Sequence, residues 1–226
     1  MKIGCVILAG GKSSRMGTDK ALLEYDGKQF IEQIADQLCG FEERIIARGN
    51  NGGITEQMAK MWTVIPDLFS DHGPIGGLHA ALSACESDAL FVVTCDMPLF
   101  NRELAELLCA EMQHSEEPGK VFEENGLVTD SDGKHVDAYD VIISVGSDGK
   151  IHPLCGVYRK SVLSVLEEQI VSDRNRVMEA LKKLHVKYVT IDSPDREKQL
   201  ANINTQEEYE KILMKDFGSK VDFEVF

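Results

Sequence analysis

The chain has 226 residues, 43% of them hydrophobic and 27% charged, with a formal net charge of −14. That length and composition suit a soluble α/β domain with a substantial core. The acidity excludes a general nucleic-acid binder, which needs a basic surface against phosphates. No apolar run reaches the roughly 20 residues that span a bilayer, and the short run after Met1 lacks a signal-peptide pattern. No membrane partner and a cytoplasmic location are therefore expected. Cys5, Cys39, Cys85, Cys95, Cys109 and Cys155 show no C-x-x-C spacing, so reduced thiols are expected and a zinc site is not.

In chain order, strand-like runs alternate with helix-like ones. Strands are predicted at Ile3–Leu8, Arg44–Ala47, Thr63–Ile65 and Leu90–Thr94, and helices at Phe30–Cys39, Ile54–Met61 and Ile75–Cys85. A further helix, Arg102–Gln113, follows Asn101, a good N-cap. The alternation predicts a mostly parallel sheet with helices on both faces. A polar, acidic, turn-rich stretch at 115–138 then reads as a surface excursion or hairpin, with a lid or flap as the functional alternative, within one domain spanning 1–226. Asp140–Val145 and Pro153–Tyr158 flank Gly146-Ser147-Asp148-Gly149 and predict a hairpin. Helical patterns follow at Lys160–Val171 and Arg176–Leu184, then a strand at Lys187–Ile191. A last helix, Glu207–Phe217, is started by Thr205 and Glu208 in capping-box spacing. The tail Val221–Phe226 is either an edge strand or disordered.

The first strand runs directly into Ala9-Gly10-Gly11-Lys12-Ser13-Ser14-Arg15-Met16-Gly17-Thr18-Asp19-Lys20. Glycines let backbone N–H groups close around an anion, and the cations add full charges where phosphates would sit. An ordinary strand-to-helix turn with solvated lysines is the plainer alternative. Two better-known phosphate loops fail on spacing. The P-loop glycine ahead of Gly11-Lys12-Ser13 would fall at Val6. Neither position 12 nor position 15 supplies the glycines that a dinucleotide fingerprint starting at Gly10 requires.

What remains, L-A-G-G-x-S-x-R-M-G-x-D-K from Leu8 to Lys20, resembles the signature of the molybdenum cofactor guanylyltransferase (MobA) family of nucleotidyltransferases. Pro66-Asp67, Gly73-Pro74-Ile75-Gly76-Gly77-Leu78, Cys95-Asp96-Met97-Pro98, His152-Pro153-Leu154 and Asn202-Ile203-Asn204-Thr205 resemble its further motifs, in the family's order. The resemblance implies a Rossmann-like three-layer sandwich of the nucleotide-diphospho-sugar transferase type. It also implies transfer of GMP from GTP to molybdopterin, with Mg²⁺ as cofactor and molybdoenzymes or their chaperones as receivers of the product.

Nucleotidyl transfer needs cations on the triphosphate, a carboxylate for the metal and a selector for the base. By resemblance, Leu8, Ala9, Gly10, Gly11 and Asp67 bind the nucleotide, and Arg15 and Lys20 serve its phosphates. Asp96 emerges from a buried strand at the carboxyl edge of the sheet, where ligands of open α/β sheets bind. It is the expected Mg²⁺ ligand. Gly73, Pro74, Gly76, Gly77, His152, Asn202 and Asn204 are the acceptor-side candidates, although close packing, a hairpin turn and helix caps would explain them equally well. Family members often carry a nucleotide-binding asparagine at the end of the second strand; here Asn50 fills that place only with a slipped alignment. CTP with molybdopterin, or a sugar or alditol phosphate acceptor, remains an alternative, as does a non-catalytic nucleotide-binding regulator.

Overall fold

The computed structural model describes residues 1–10, 19–48, 54–66, 69, 72–115 and 139–220, with side chains described through Met214. The N-terminal half forms β1 (Ile3–Leu8), the short pair β2 (Glu24–Tyr25) and β3 (Lys28–Gln29), α1 (Phe30–Gln37) and β4 (Arg44–Arg48). It continues through α2 (Glu56–Met61), β5 (Thr63–Pro66), α3 (Pro74–Ala84), β6 (Ala89–Thr94) and α4 (Arg102–His114). Then follow β7 (Val141–Gly146), β8 (Ile151–Arg159), α5 (Leu163–Val171), α6 (Val177–Leu181), β9 (Val186–Ile191), α7 (Pro194–Glu197) and α8 (Gln206–Lys220).

One seven-stranded sheet has the order β5-β4-β1-β6-β8-β7-β9. All its pairings are parallel except the two that β8 makes with β6 and β7. Alternation along each strand divides the core between the two faces. Cys5, Ile7, Phe91 and Val93 join Ile31, Ile34, Leu104 and Leu108 of α1 and α4 on one face. Val6, Leu8, Leu90 and Val92 join Leu78, Leu82, Leu166 and Ala180 of α3, α5 and α6 on the other. The result is the expected three-layer α/β sandwich with a mostly parallel sheet.

Local chemistry accounts for most of the boundaries. The Asn101 side chain accepts the Leu104 N–H at 3.3 Å. Thr205 and Glu208 exchange capping-box bonds of 3.2 and 3.0 Å at the start of α8. The predicted hairpin forms between β7 and β8, but both its strands run closer to the turn than expected. His152 and Pro153 consequently lie within β8, not in the turn. The 2–3 hairpin was absent from the sequence reading because each strand is only two residues long. It closes through Asp26 and Gly27, with φ of 48° and 76°, values suited to a two-residue turn. Lys160–Val162 is a separate 3-10 turn ahead of α5, where one continuous helix was expected.

β8 is tightly held on both sides. Gly156 pairs with Val92 of β6 and Ile143 of β7, next to a register shift at Ile143 and Ser144. A Cβ at Gly156 would stand 2.3 Å from the Ile142 carbonyl oxygen. Gly156→Ala is therefore expected to cost about 3 kcal/mol through backbone overpacking. A reduced urea midpoint would register this loss; an unchanged midpoint would contradict the tight contact.

Candidate nucleotide site

β1, β4 and β6 run parallel, so their carboxyl ends share one edge of the sheet. β8 runs the other way and brings its first residues to that edge. The Ala9 N–H donates to Ala47 C=O at 2.9 Å and the Cys95 N–H to Leu8 C=O at 3.1 Å. These bonds carry the ladder one residue past β1 and β6 before the chain departs. Leu8 and Ala9 are buried beneath this edge, while Gly10 is exposed.

Asp96 leaves β6 into a cluster drawn from four chain segments. Its Oδ1 accepts the Thr94 hydroxyl at 2.6 Å and the Asn202 amide at 2.9 Å. Its Oδ2 stands 3.6 Å from Lys20 Nζ, and both side chains are largely shielded. Lys20 Nζ also donates to Asn204 Oδ1 at 2.6 Å. Between the two asparagines, the Ile203 N–H donates to the Asp96 carbonyl at 2.8 Å. Lys20, Asp96, Asn202 and Asn204, expected to serve one site, thus converge across 184 sequence positions.

His152 reaches the same network through a side-chain hydrogen bond with Asn202 and is only 8% exposed. Burial, and then the nearby Lys150 charge, lowers its pKa against the opposing Asp148 and Asn202 contacts. It therefore stays neutral near physiological pH. The Cys95 thiol beneath the cluster is pushed up to about 12 by burial, then by Asp96 and Asp19. It is a protonated, inert packing group at neutral pH.

A small third core holds the asparagine segment in place. Ile203 is buried with Phe30 and Ile212, and Leu23, Tyr25, Leu99 and Tyr209 pack around them. The Tyr209 hydroxyl donates to Glu24 C=O at 2.7 Å, which ties α8 to the β2–β3 hairpin. Glu208 Oε2 accepts the backbone N–H groups of Asn204 and Thr205 at 2.7 and 3.0 Å.

Gly11, Arg15, Asp67 and Asn50 lie outside the described residues. Gly73 precedes α3 with φ 65° and ψ −148°, a conformation open essentially to glycine alone. Pro74 is the first residue of that helix. A Cβ on Gly77 would come within 3.5 Å of Leu8 and 3.8 Å of Ala47. Gly77 therefore packs α3 closely against β1 and β4. Gly76 is buried in the first turn, its N–H bonded to Gly73 C=O. These four residues begin α3 at the carboxyl edge of the sheet.

Sequence reasoning passed over Asp19, Arg48 and Thr94. Arg48, 3% exposed at the end of β4, places Nη2 2.5 Å from Asp19 Oδ2. The usable signal was Arg48 at the end of an apolar strand, since an arginine buried there must be paired. Thr94 had a usable signal, a hydroxyl two residues before the carboxylate it now orients.

A divalent cation fits this cluster in one way. Among the described residues, no group of three or more His, Cys, Asp or Glu could hold a metal. With Oδ1 of Asp96 engaged twice, Oδ2 is the oxygen available to a cation. A hard ion that takes one or two carboxylates and completes its shell with water and phosphate oxygens suits that donor.

The mostly parallel α/β sandwich brings a lysine and a carboxylate together at its carboxyl edge, where open α/β sheets bind their ligands. Residues 5–187 match the family model described as a MobA-like NTP transferase domain, and the chain belongs to that family. It is 32% identical over 222 residues to a Clostridium perfringens protein named as a probable molybdenum cofactor guanylyltransferase, covering 95% of this chain and 98% of that one. A protein of the same name from Carboxydothermus hydrogenoformans is 30% identical over 212 residues, covering 92% and 93%. The crystal structure of molybdopterin-guanine dinucleotide biosynthesis protein A from Archaeoglobus fulgidus superposes with a TM-score of 0.71 at 22% identity, covering 96% of this chain and all of that one. That likeness supports the fold. No helix among the described residues is long and apolar enough to cross a membrane.

The hydrogen bond from the Asn204 N–H holds the Glu208 carboxyl below its ordinary pKa, opposed by burial and helped by Thr205. A depressed carboxylate adds stability above its unfolded pKa and loses it as pH falls through the folded one. Glu208→Gln should cost about 1 kcal/mol at neutral pH, the scale of a helix cap. The difference should fade below about pH 4. Urea unfolding at both pH values tests this, and a pH-independent difference would contradict it.

Proposed function

We propose that the protein transfers the guanylyl group of GTP to the terminal phosphate of molybdopterin, with Mg²⁺ as cofactor. The products are the molybdopterin guanine dinucleotide and pyrophosphate, and the whole chain acts as one nucleotidyltransferase unit. The observation that carries this reading is the approach of Lys20 Nζ to Asp96 Oδ2, 3.6 Å apart at the carboxyl edge of the sheet. Family membership and the names of the relatives supply the substrate pair.

An oxygen of the acceptor phosphate forms a bond to the α-phosphorus of GTP. The bond from that phosphorus to the bridging oxygen breaks, and pyrophosphate leaves with its electrons. A phosphate monoester is already largely ionised near neutral pH, so no general base is required. Positioning and charge neutralisation are what the protein must supply.

Lys20 gives the triphosphate a point charge that follows negative charge onto the leaving pyrophosphate. By the family resemblance, Arg15 serves the phosphate oxygens, and Leu8, Ala9, Gly10, Gly11 and Asp67 bind the nucleotide. Asp96 would hold Mg²⁺ through Oδ2, where the ion supplies further positive charge against the triphosphate. Thr94 and Asn202 fix the Asp96 carboxylate by occupying Oδ1. His152 orients Asn202 as a neutral imidazole. Asn204 and the Gly73–Gly77 segment complete the acceptor side, and molybdoenzymes or their chaperones receive the product.

Pyrophosphate release with Mg²⁺ and molybdopterin, and with GTP or CTP in parallel, tests the substrate pair. Release selective for GTP and dependent on molybdopterin is expected; release with CTP or with a sugar phosphate in its place would overturn it. Lys20→Ala should lower kcat roughly 100- to 1,000-fold, the scale of one lost charge-stabilising group, without a matching loss of stability. Asp96→Asn should abolish metal-dependent turnover. Near-normal rates in that variant would remove Asp96 from the mechanism.

A further inference from the structure

We propose that Arg48 is a positioning residue for Lys20, acting through Asp19. The proposal rests on the phosphate role of Lys20 given above. Arg48 closes β4 and is 3% exposed, so its guanidinium is a charge fixed in the body of the sheet. A buried charge of this kind is held in one place by its partners. Its Nη2 meets Asp19 Oδ2 at 2.5 Å.

The same carboxylate has a second task. Asp19 Oδ1 accepts the Ala21 N–H at 3.1 Å, and the Asp19 carbonyl accepts the Leu22 N–H at 3.0 Å. Asp19 thus caps the 3-10 turn Lys20–Leu22. A turn of three residues cannot sustain itself. This one is anchored by its cap and by the fully buried Ala21. One carboxylate therefore joins a rigid strand end to the backbone that carries Lys20. The long lysine side chain has many rotamers, so its reach to Asn204 and Asp96 depends on a fixed backbone origin.

Charge gives a second reason for the pairing. Asp19 adjoins Lys20 in sequence and would compete for its ammonium, or repel an incoming triphosphate. Engaged by Arg48, the Asp19 carboxylate is neutralised, and Lys20 Nζ turns to Asn204 and Asp96 instead. Guanidinium suits this task better than ammonium because it is planar, less strongly hydrated and always charged.

Arg48→Met, Arg48→Lys and Asp19→Asn, each alone and combined with Lys20→Ala, test the proposal in the full chain. Asparagine at 19 retains an oxygen for the Ala21 cap while removing the charge that Arg48 holds. Steady-state pyrophosphate release with Mg²⁺-GTP and molybdopterin is measured beside urea unfolding. Arg48→Met and Asp19→Asn should each lower kcat roughly 100-fold, the cost of a misplaced catalytic group, while KM for molybdopterin stays constant. Arg48→Lys should recover part of the loss. Neither substitution should reduce the rate further once Lys20 is alanine, because both act through it. Losses that multiply with that of Lys20→Ala would overturn the proposal, as would full kcat in Asp19→Asn and Arg48→Met beside an impaired Lys20→Ala. If Arg48→Met fails to fold, Asp19→Asn decides, since its side chain is more exposed and its cap is kept. Full turnover by Lys20→Ala alone would remove the parent reading, and this proposal with it.

Discussion

The carboxylate of Asp96 is the point through which distant parts of the chain become one site. Its Oδ1 is occupied by Thr94 and Asn202, and its carbonyl receives the Ile203 N–H. With three groups fixing the residue, the remaining oxygen has a defined direction, and Lys20 lies along it. The Lys20–Asp96 separation of 3.6 Å is long for an ion pair. Pairs of this kind at a partly wet edge contribute little to stability. In the proposed reaction, the contact places two opposite charges where a phosphate and a cation would exchange with them.

That placement depends on packing remote from the charges. Ile203, buried with Phe30 and Ile212, anchors the segment that carries both asparagines. Glu208 bonds the backbone at Asn204 and Thr205, and Tyr209 reaches back to Glu24. α8 therefore acts less as a layer of the sandwich than as a clamp, holding Asn202 and Asn204 against a sheet edge that the first half of the chain builds.

Periodicity was enough to read the sandwich. Runs such as Ile3–Leu8 and Leu90–Thr94 are buried on both faces, while α1 and α4 each present one apolar stripe to the sheet. Short elements escaped because two residues carry no periodic signal, as the β2–β3 hairpin illustrates. Lys20, Asp96, Asn202 and Asn204 were legible as motif residues, yet no spacing could place residue 20 against residue 204. Their convergence is a property of topology. Arg48 and Asp19 were harder still. Their partnership joins the end of one strand to the loop leaving another, and only parallel pairing of β1 with β4 brings those ends together.

The charge balance of the edge links these observations to function. A chain of net charge −14 offers no long-range attraction to a nucleoside triphosphate. Among the described residues, the carboxylates of Asp19 and Asp96 at the carboxyl edge would worsen the repulsion if left uncompensated. Each instead faces a cation, Asp19 with Arg48 and Asp96 with Lys20. The two pairs are not equivalent. The first is close at 2.5 Å and its arginine is buried, which favours a permanent structural neutralisation. The second is longer and shared with Asn204, which in the proposed reaction would let Lys20 turn to phosphate while Asp96 receives a metal ion. An acidic protein can in this way confine its affinity for a polyanion to one edge, with the fixed pair holding the origin from which the exchangeable pair works.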